Sequence, residues 1–330
     1  MEALLSFLQA DFAGTPAWSW LLFIGIVISL LVFDLGVLHK EDREIGVRES
    51  LLLSAGYISA ALLFGGWVWW QMGPASGMAY YTGFLIEKSL SLDNVFVIAL
   101  IFSFFAIPRQ FQHRVLFWGI LGVIVLRAIM IGLGAALVSN FGWLMYLFGA
   151  FLVFTGIKMW MIADQEPDIA TNPILKFLKR RMRVTDGLRG NAFWVREPDA
   201  ATGKTVRWAT PLFLALVLIE FVDLLFAVDS VPAIFAITTD PYLVYTSNIF
   251  AILGLRALYF ALAAAVHRFH YLKYALSVVL IFIGAKIFLA DALGLEKIPP
   301  AFSLLVTAGV LGAGIGLSLW RTRGEAQPQH

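Results

Sequence analysis

The residues that could do chemistry in this sequence are carboxylic acids placed inside long apolar segments. Glu87 and Asp93 lie six residues apart in one segment, and Asp223 and Asp229 have the same spacing in another. Glu220 precedes the second pair. A charged side chain costs about 2.5–3.5 kcal/mol at the centre of a bilayer, so these acids must face a polar interior or pair with basic side chains, and acids that face each other need a bound cation or shared protons between them.

Other oxygen-bearing groups accompany the acids. Asn94 directly follows Asp93, and Ser230 directly follows Asp229. The sequence contains no cysteine, and its five histidines lie at segment ends, in loops or in the tail. Carboxylate, amide and hydroxyl oxygens suit hard cations such as Mn²⁺, Mg²⁺ or Ca²⁺ and suit Cu⁺ or Zn²⁺ poorly. Carboxylates that release a dication can bind protons instead, which favours proton-coupled exchange.

A proline lies beside the second pair of acids. Pro232 has no amide hydrogen to bond the carbonyl of Val228, so we expect the helix to break at this point and to expose backbone carbonyls. Broken helices are a recurrent way to build cation sites within membranes.

Basic residues also occur inside the apolar segments, and two roles for them remain open. They could neutralise an empty site during the return step of transport, or they could neutralise the acids in every state. These residues are Lys88, Arg127, Lys158, Arg256 and Lys286.

The elements that position these residues are transmembrane helices. Of the 330 residues, 60% are hydrophobic and 14% are charged, and the mean hydropathy is +0.83. A soluble domain carries roughly 25% charged residues, so the composition predicts an all-α polytopic membrane protein. The nine predicted spans are 18–38, 51–71, 78–105, 115–138, 142–162, 210–238, 246–266, 272–290 and 302–320.

The basic residues in the loops predict the direction of each span. Alternate loops and the C-terminal tail contain seventeen lysines and arginines, and the opposite loops contain one. The positive-inside rule then places the N-terminus outside and the C-terminus inside the cytoplasm. We expect a multi-pass protein of the inner (plasma) membrane.

An internal repeat relates spans 3–5 to spans 6–8. Besides the paired acids, Arg127 of span four matches Arg256 of span seven, and Lys158 of span five matches Lys286 of span eight. The predicted topology gives the two triplets opposite orientations. Inverted repeats are typical of alternating-access transporters, which bind substrate near the midplane.

These assignments divide the chain into five regions. The long cytoplasmic loop is predicted to contain an amphipathic helix around Ile174, Phe177, Leu178 and Met182 that lies on the anionic leaflet, followed by a β-hairpin. The regions are 1–76 with two spans, 77–162 with the first repeat, the basic loop 163–209, 210–292 with the inverted repeat, and 293–330 with the last span and the tail.

The sequence around the paired acids resembles the TerC family, and most closely its Alx-type members. The resemblance is carried by residues 87–96 (EKSLSLDNVF) and 226–233 (FAVDSVPA), and it extends from about Asp34 to Lys286. The family is named for tellurite resistance, and its Alx-type members are regarded as manganese exporters. Asp34 matches a further acidic position of the family. The metal site that the resemblance implies consists of Glu87, Asp93, Asn94, Glu220, Asp223, Asp229 and Ser230.

The sequence therefore predicts a secondary transporter that exports Mn²⁺, or another hard dication, in exchange for protons. The direction of transport follows from the resemblance alone. The main alternative is a membrane scaffold or stress-response partner whose buried charges are structural ion pairs. No catalytic or nucleotide-binding motif is recognisable in the spans, so we expect neither an enzyme nor a resident cofactor. The expected partners are the lipid bilayer, the metal ion and protons; nucleic acid is not expected, and a homo-oligomer remains open.

Overall fold

The computed structural model describes residues 2–36, 46–163, 169–199, 203–262, 270–294 and 298–323, and it is dominated by long helices. A short helix, α1 (Glu2–Gln9), and a small hairpin of β1 (Asp11–Phe12) and β2 (Thr15–Pro16) precede them. The first long helices are α2 (Ala17–Gly36), α3 (Val47–Met72), α4 (Pro74–Phe104), α5 (Arg109–Asn140) and α6 (Leu144–Met161). After the long basic loop follow α8 (Pro211–Phe235), α9 (Pro241–Ile252), α10 (Leu255–Leu262), α11 (His270–Ala292) and α12 (Pro300–Arg323).

Most of these helices can cross a membrane. Among the described residues, seven helical segments are long and apolar enough to do so, with α9 and α10 counted as one segment over Pro241–Leu262. The apolar part of α2, Ala17–Phe33, is shorter, and α4, which contains Glu87 and Asp93, is not among the seven. The polytopic all-α architecture is confirmed, whereas the count of nine spans and the inverted arrangement remain predictions.

The predicted position of the helix break is wrong. Pro232 lies inside α8, which continues to Phe235. Pro232 has no amide to bond the carbonyl of Val228, yet the helix continues for three residues beyond it. The break lies in the seventh predicted span instead: α9 ends at Ile252, α10 begins at Leu255, and Gly254 between them has a φ of +80°. A residue without a Cβ adopts this left-handed conformation at little cost.

Four helices surround the centre of the molecule. α4 packs against α8 and α9, and α5 packs against the same two helices. Next to them, α6 and α11 form a closely packed pair: a Cβ placed at Gly284 would lie 2.5 Å from the carbonyl oxygen of Gly149, and one at Gly156 would lie 2.8 Å from that of Ser277. α3 and α12 pack against α4 from outside this group.

The basic loop between α6 and α8 contains both elements predicted for it. The helix α7 (Pro173–Arg181) is capped by Asn172, whose side chain accepts a hydrogen bond from the amide of Ile174 at 2.9 Å. Ile174 and Leu178 pack against the protein core and Phe177 is exposed, so the apolar face is only partly available to a membrane. The hairpin consists of β3 (Trp194–Pro198) and β4 (Thr205–Ala209), paired antiparallel.

Candidate cation site

Arg127 of α5 lies at the centre of a buried polar cluster. Its guanidinium donates to both carboxylate oxygens of Asp223, at 3.1 Å from Nη2 to Oδ1 and 3.3 Å from Nε to Oδ2. Nη1 forms an ion pair with Glu87 and also donates to Ser230 Oγ at 3.0 Å and to Asn248 Oδ1 at 3.2 Å. All five residues are buried, with Glu87 0% and Arg127 1% exposed. The cluster thus joins α4, α5, α8 and α9.

Two asparagines complete the polar shell around the carboxylates. Asn94 donates from Nδ2 to Asp223 Oδ1 at 3.0 Å, and Asn248 donates from Nδ2 to Glu87 Oε2 at 3.0 Å. The Oδ1 atom of Asn94 is buried and has no hydrogen-bond partner among the described residues. A buried acceptor in this condition loses its hydration without compensation, which makes it a site for water or a cation.

A small cavity adjoins this unpaired oxygen. Its volume is about 20 Å³, enough for about one water molecule, and its only polar linings are Asn94 and Asp223. The remaining walls are apolar side chains of α4, α5, α8 and α10, including Ile98 and Leu116. In the predicted topology, Ile98 and Leu116 lie on the cytoplasmic side of the acids.

The helical repeat explains which predicted ligands meet. Asn94 follows Glu87 by seven residues, and Ser230 follows Asp223 by the same spacing. Seven residues are almost two full helical turns, so both members of each pair lie on one face. A spacing of six residues turns a side chain about 120° away from that face. Asp93 and Asp229 therefore point elsewhere.

The structure places Asp93 and Asp229 beside lysines. Asp93 is half-buried and interacts electrostatically with Lys273 of α11. Asp229 is also half-buried, hydrogen-bonds with Thr155 and interacts with Lys158 of α6. Both acids thus lie close to the α6–α11 pair. Within the part of the chain that the structure describes, no three acids or histidines come close enough to hold one metal ion together.

Glu220 occupies a third environment. Its carboxylate lies against the backbone of α5, so that a Cβ placed at Gly122 would be 2.5 Å from Oε2 and closer still to Oε1. The glycine leaves the space that the carboxylate fills. Oε2 of Glu220 is buried and forms no hydrogen bond with any described residue. Since Glu220 precedes Asp223 by three residues, the two carboxylates lie within one turn of α8.

The other charged residues singled out in the sequence lie at several places. Lys88 donates to the carbonyl oxygen of Ala251 at 3.1 Å, in the last turn of α9, where a cation compensates the negative end of the helix dipole. Lys286 is buried and donates to Ser303 Oγ at 3.1 Å. Arg256 is buried in α10, and Lys158 is exposed. The side chain of Asp34 is outside the described residues.

Asn248 is the cluster member that the sequence reasoning missed. It comes from α9, which the predicted repeat matches with α5, but the residue that corresponds to it in α5 is Gly119, so the predicted repeat did not reveal it. Its signal was the polarity of an amide in the middle of an apolar span, which is costly to bury without hydrogen-bond partners, though less so than a charge.

Comparison with known proteins agrees with this architecture. The family model described as "Integral membrane protein TerC family" matches residues 72–326. An uncharacterised membrane protein of Myxococcus xanthus is 48% identical over 310 residues, which are 94% of each chain. One from Rickettsia bellii is 48% identical over 303 residues, 92% of this chain and 97% of that one.

A further relative has a name that suggests a role. A protein of Photorhabdus laumondii, provisionally named membrane-bound redox modulator Alx, is 43% identical over 322 residues, 95% of this chain and 98% of that one. No solved structure matches the chain. The family match covers most of the sequence and includes both acid-bearing helices. The chain therefore belongs to the TerC family of integral membrane proteins.

Proposed function

We propose that this protein is a secondary transporter that exports a hard divalent cation, Mn²⁺, from the cytoplasm in exchange for protons. The observation that carries the proposal is the meeting of Glu87 and Asp223, from two different helices, in a buried shell of amide and hydroxyl oxygens. Two carboxylates with one arginine leave a net charge of −1 (two negative charges and one positive) at a place where uncompensated charge is expensive. A cation or a proton relieves that charge.

The donor atoms favour a hard ion. The cluster offers carboxylate, amide and hydroxyl oxygens, and the sequence contains no cysteine that could supply a thiolate. Such a set suits Mn²⁺, Mg²⁺ and Ca²⁺. The choice of Mn²⁺ and the outward direction rest on the family resemblance, as does placement in the plasma membrane.

The packing of the helices supports alternating access. In the repeat, α4 corresponds to α8, α5 to α9 and α10, and α6 to α11. The repeat then relates the contact of α4 with α9 to the contact of α8 with α5. The α4–α8 contact and the α6–α11 contact each join two helices that correspond to one another, so the repeat leaves both contacts unchanged. Inverted repeats packed in this way have two equivalent arrangements around one central site, and rocking between them exposes the site to each side in turn.

A scaffold or stress-response partner is the second candidate, and the two ion pairs of Arg127 favour it. In that case the cluster only holds four helices together. The redox role in the name of the Alx relatives is not readily carried over through thiol chemistry, because this chain has no cysteine to oxidise or reduce.

Mn²⁺ flux into liposomes separates the candidates. The purified chain should carry Mn²⁺, and Mn²⁺ entering inside-out vesicles should make the lumen more alkaline as protons leave. Glu87→Gln should abolish the flux, because it removes a charge from the site. Glu197→Gln, in the cytoplasmic hairpin, is the matched control and should leave the flux unchanged.

A wild-type protein that moves no Mn²⁺ above empty liposomes would refute the transport proposal and leave the scaffold. Asp93→Asn, measured alongside, decides whether an acid outside the cluster belongs to the path of the ion. The same comparison applies to Asp229→Asn. Normal flux in either variant would remove that residue from the transport pathway.

A further inference from the structure

The guanidinium of Arg127 is surrounded in the way a metal ion would be. Five oxygens of the described residues accept its hydrogen bonds: one from Glu87, two from Asp223, one from Ser230 and one from Asn248. The unpaired Oδ1 of Asn94 is held nearby, because the same amide donates to Asp223. Six oxygens are the number that an octahedral hard dication requires.

We propose that Arg127 occupies the substrate's own position and is displaced by the incoming dication, with Glu220 as the carboxylate that receives it. This inference rests on the proposed transport function and deepens it. Arg127 is then a tethered competitor: it fills the site when the substrate is absent and leaves when the substrate binds.

The charges oppose the presence of Arg127 and the dication in the site at the same time. Glu87 and Asp223 with a dication sum to zero, whereas the same acids with both a dication and Arg127 sum to +1, with two cations in contact. Like charges at contact distance repel strongly in a buried site. A guanidinium remains protonated under all ordinary conditions, so Arg127 cannot lose its charge and must move away.

Glu220 is placed to accept the displaced side chain. Its carboxylate lies within one turn of Asp223 on α8, about 4.5 Å along the helix axis. Gly122, on the same helix as Arg127, makes the space for it. One of its oxygens is buried without a hydrogen bond to any described residue, which is costly unless a donor arrives in another state. The long, flexible side chain of arginine can cover a shift of this size.

Mn²⁺ titration of the purified protein in detergent tests the exchange, with free Mn²⁺ followed by electron paramagnetic resonance. Arg127→Gln removes the competitor and should tighten Mn²⁺ binding about tenfold or more, within the usual range of coupling between sites. Arg109→Gln is the matched control: Arg109 is exposed at the start of the same helix, and its loss should not change the affinity.

The role of Glu220 is tested in both backgrounds. Glu220→Gln should weaken Mn²⁺ binding about tenfold in the wild type, because displaced Arg127 then has no partner. In the Arg127→Gln background the same change should have no effect, because there is no arginine to receive. Weakening in both backgrounds would make Glu220 a direct ligand and overturn its proposed role.

Equal or weaker Mn²⁺ binding by Arg127→Gln would overturn the competition itself. If that variant does not fold, Arg127→Lys replaces it. The lysine keeps the charge but forms fewer hydrogen bonds, so Mn²⁺ should still bind this variant more tightly than the wild type. An unchanged affinity for Mn²⁺ would refute the competition. Wild-type flux in liposomes separates this failure from that of the transport proposal. A wild type that carries Mn²⁺ together with an unimproved Arg127→Gln rejects the inference alone, whereas a wild type without flux rejects both.

Discussion

Asp223→Asn tests whether the buried cluster holds the central helices together. The substitution preserves the shape of the side chain but removes its charge and turns one acceptor oxygen into an NH₂ group. Arg127 then loses one of its two acceptor oxygens on this side chain, and the new NH₂ group faces a donor. Only Glu87 remains to balance the arginine.

The expected cost follows from the hydrogen bonding that is lost. The substitution changes the net charge of Glu87, Asp223 and Arg127 from −1 to zero, so it leaves no buried charge without a partner. A hydrogen bond to a charged group contributes about 1.5–3 kcal/mol. Because Asp223 is 5% and Arg127 1% exposed, water cannot replace the lost bond, and we expect a loss within this range.

The assay is denaturation of the purified protein in mixed micelles, followed by tryptophan fluorescence. Asp229→Asn is the control, because it makes the same chemical change on the same helix outside the cluster, and it should cost about 1 kcal/mol or less, as is typical of partly exposed pairs. A double-mutant cycle with Arg127→Gln should give a coupling energy of about 1–3 kcal/mol. Equal losses for Asp223→Asn and Asp229→Asn, or a coupling energy near zero, would refute the reasoning.

Two glycines give further predictions about the frame around the site. Gly284→Leu should separate α6 from α11, because even a Cβ would lie 2.5 Å from the carbonyl oxygen of Gly149; we expect a loss of at least about 2 kcal/mol in the same denaturation assay, and wild-type stability would show that the helices are not so close. Gly254→Ala would place a Cβ on a residue with a φ of +80° and 2.8 Å from the ring of Tyr57. We expect the free energy of unfolding to fall by about 1–3 kcal/mol, and a variant of wild-type stability would argue against the break at this residue.

The sequence was sufficient to predict a polytopic all-α membrane protein, because long apolar segments with few charges have few alternatives to membrane-spanning helices; the count of nine spans and the inverted repeat remain predictions. It was less informative about which acids meet. The similarity of the two repeats drew attention to the spacing of six residues, from Glu87 to Asp93, whereas the spacing of seven, from Glu87 to Asn94, determines the shared face. Counting helical turns along α4 and α8 is enough to separate the two groups of side chains.

The position of the helix break and the role of Asn248 depended on information that a local motif does not contain. Pro232 removes one hydrogen bond from α8, but the helix continues past it to Phe235. The break at Gly254 is accompanied by a long-range contact: Lys88 of α4 donates to the carbonyl of Ala251, which lies more than 160 residues later in the chain. Asn248 likewise gains its role only when α9 packs against α4.

The hairpin of β3 and β4 packs against the start of α8, the helix that carries Asp223. Thr210, at the N-terminal end of α8, donates from its hydroxyl to the carbonyl of Ala192 at 2.7 Å, and the rings of Trp194 and Phe213 pack with centroids 4.5 Å apart. Asp223 lies thirteen residues further along the same rod, about 20 Å away. A fluorophore on the exposed side chain of Lys204 would therefore move with α8 and report a change in its tilt, at a distance from the buried cluster.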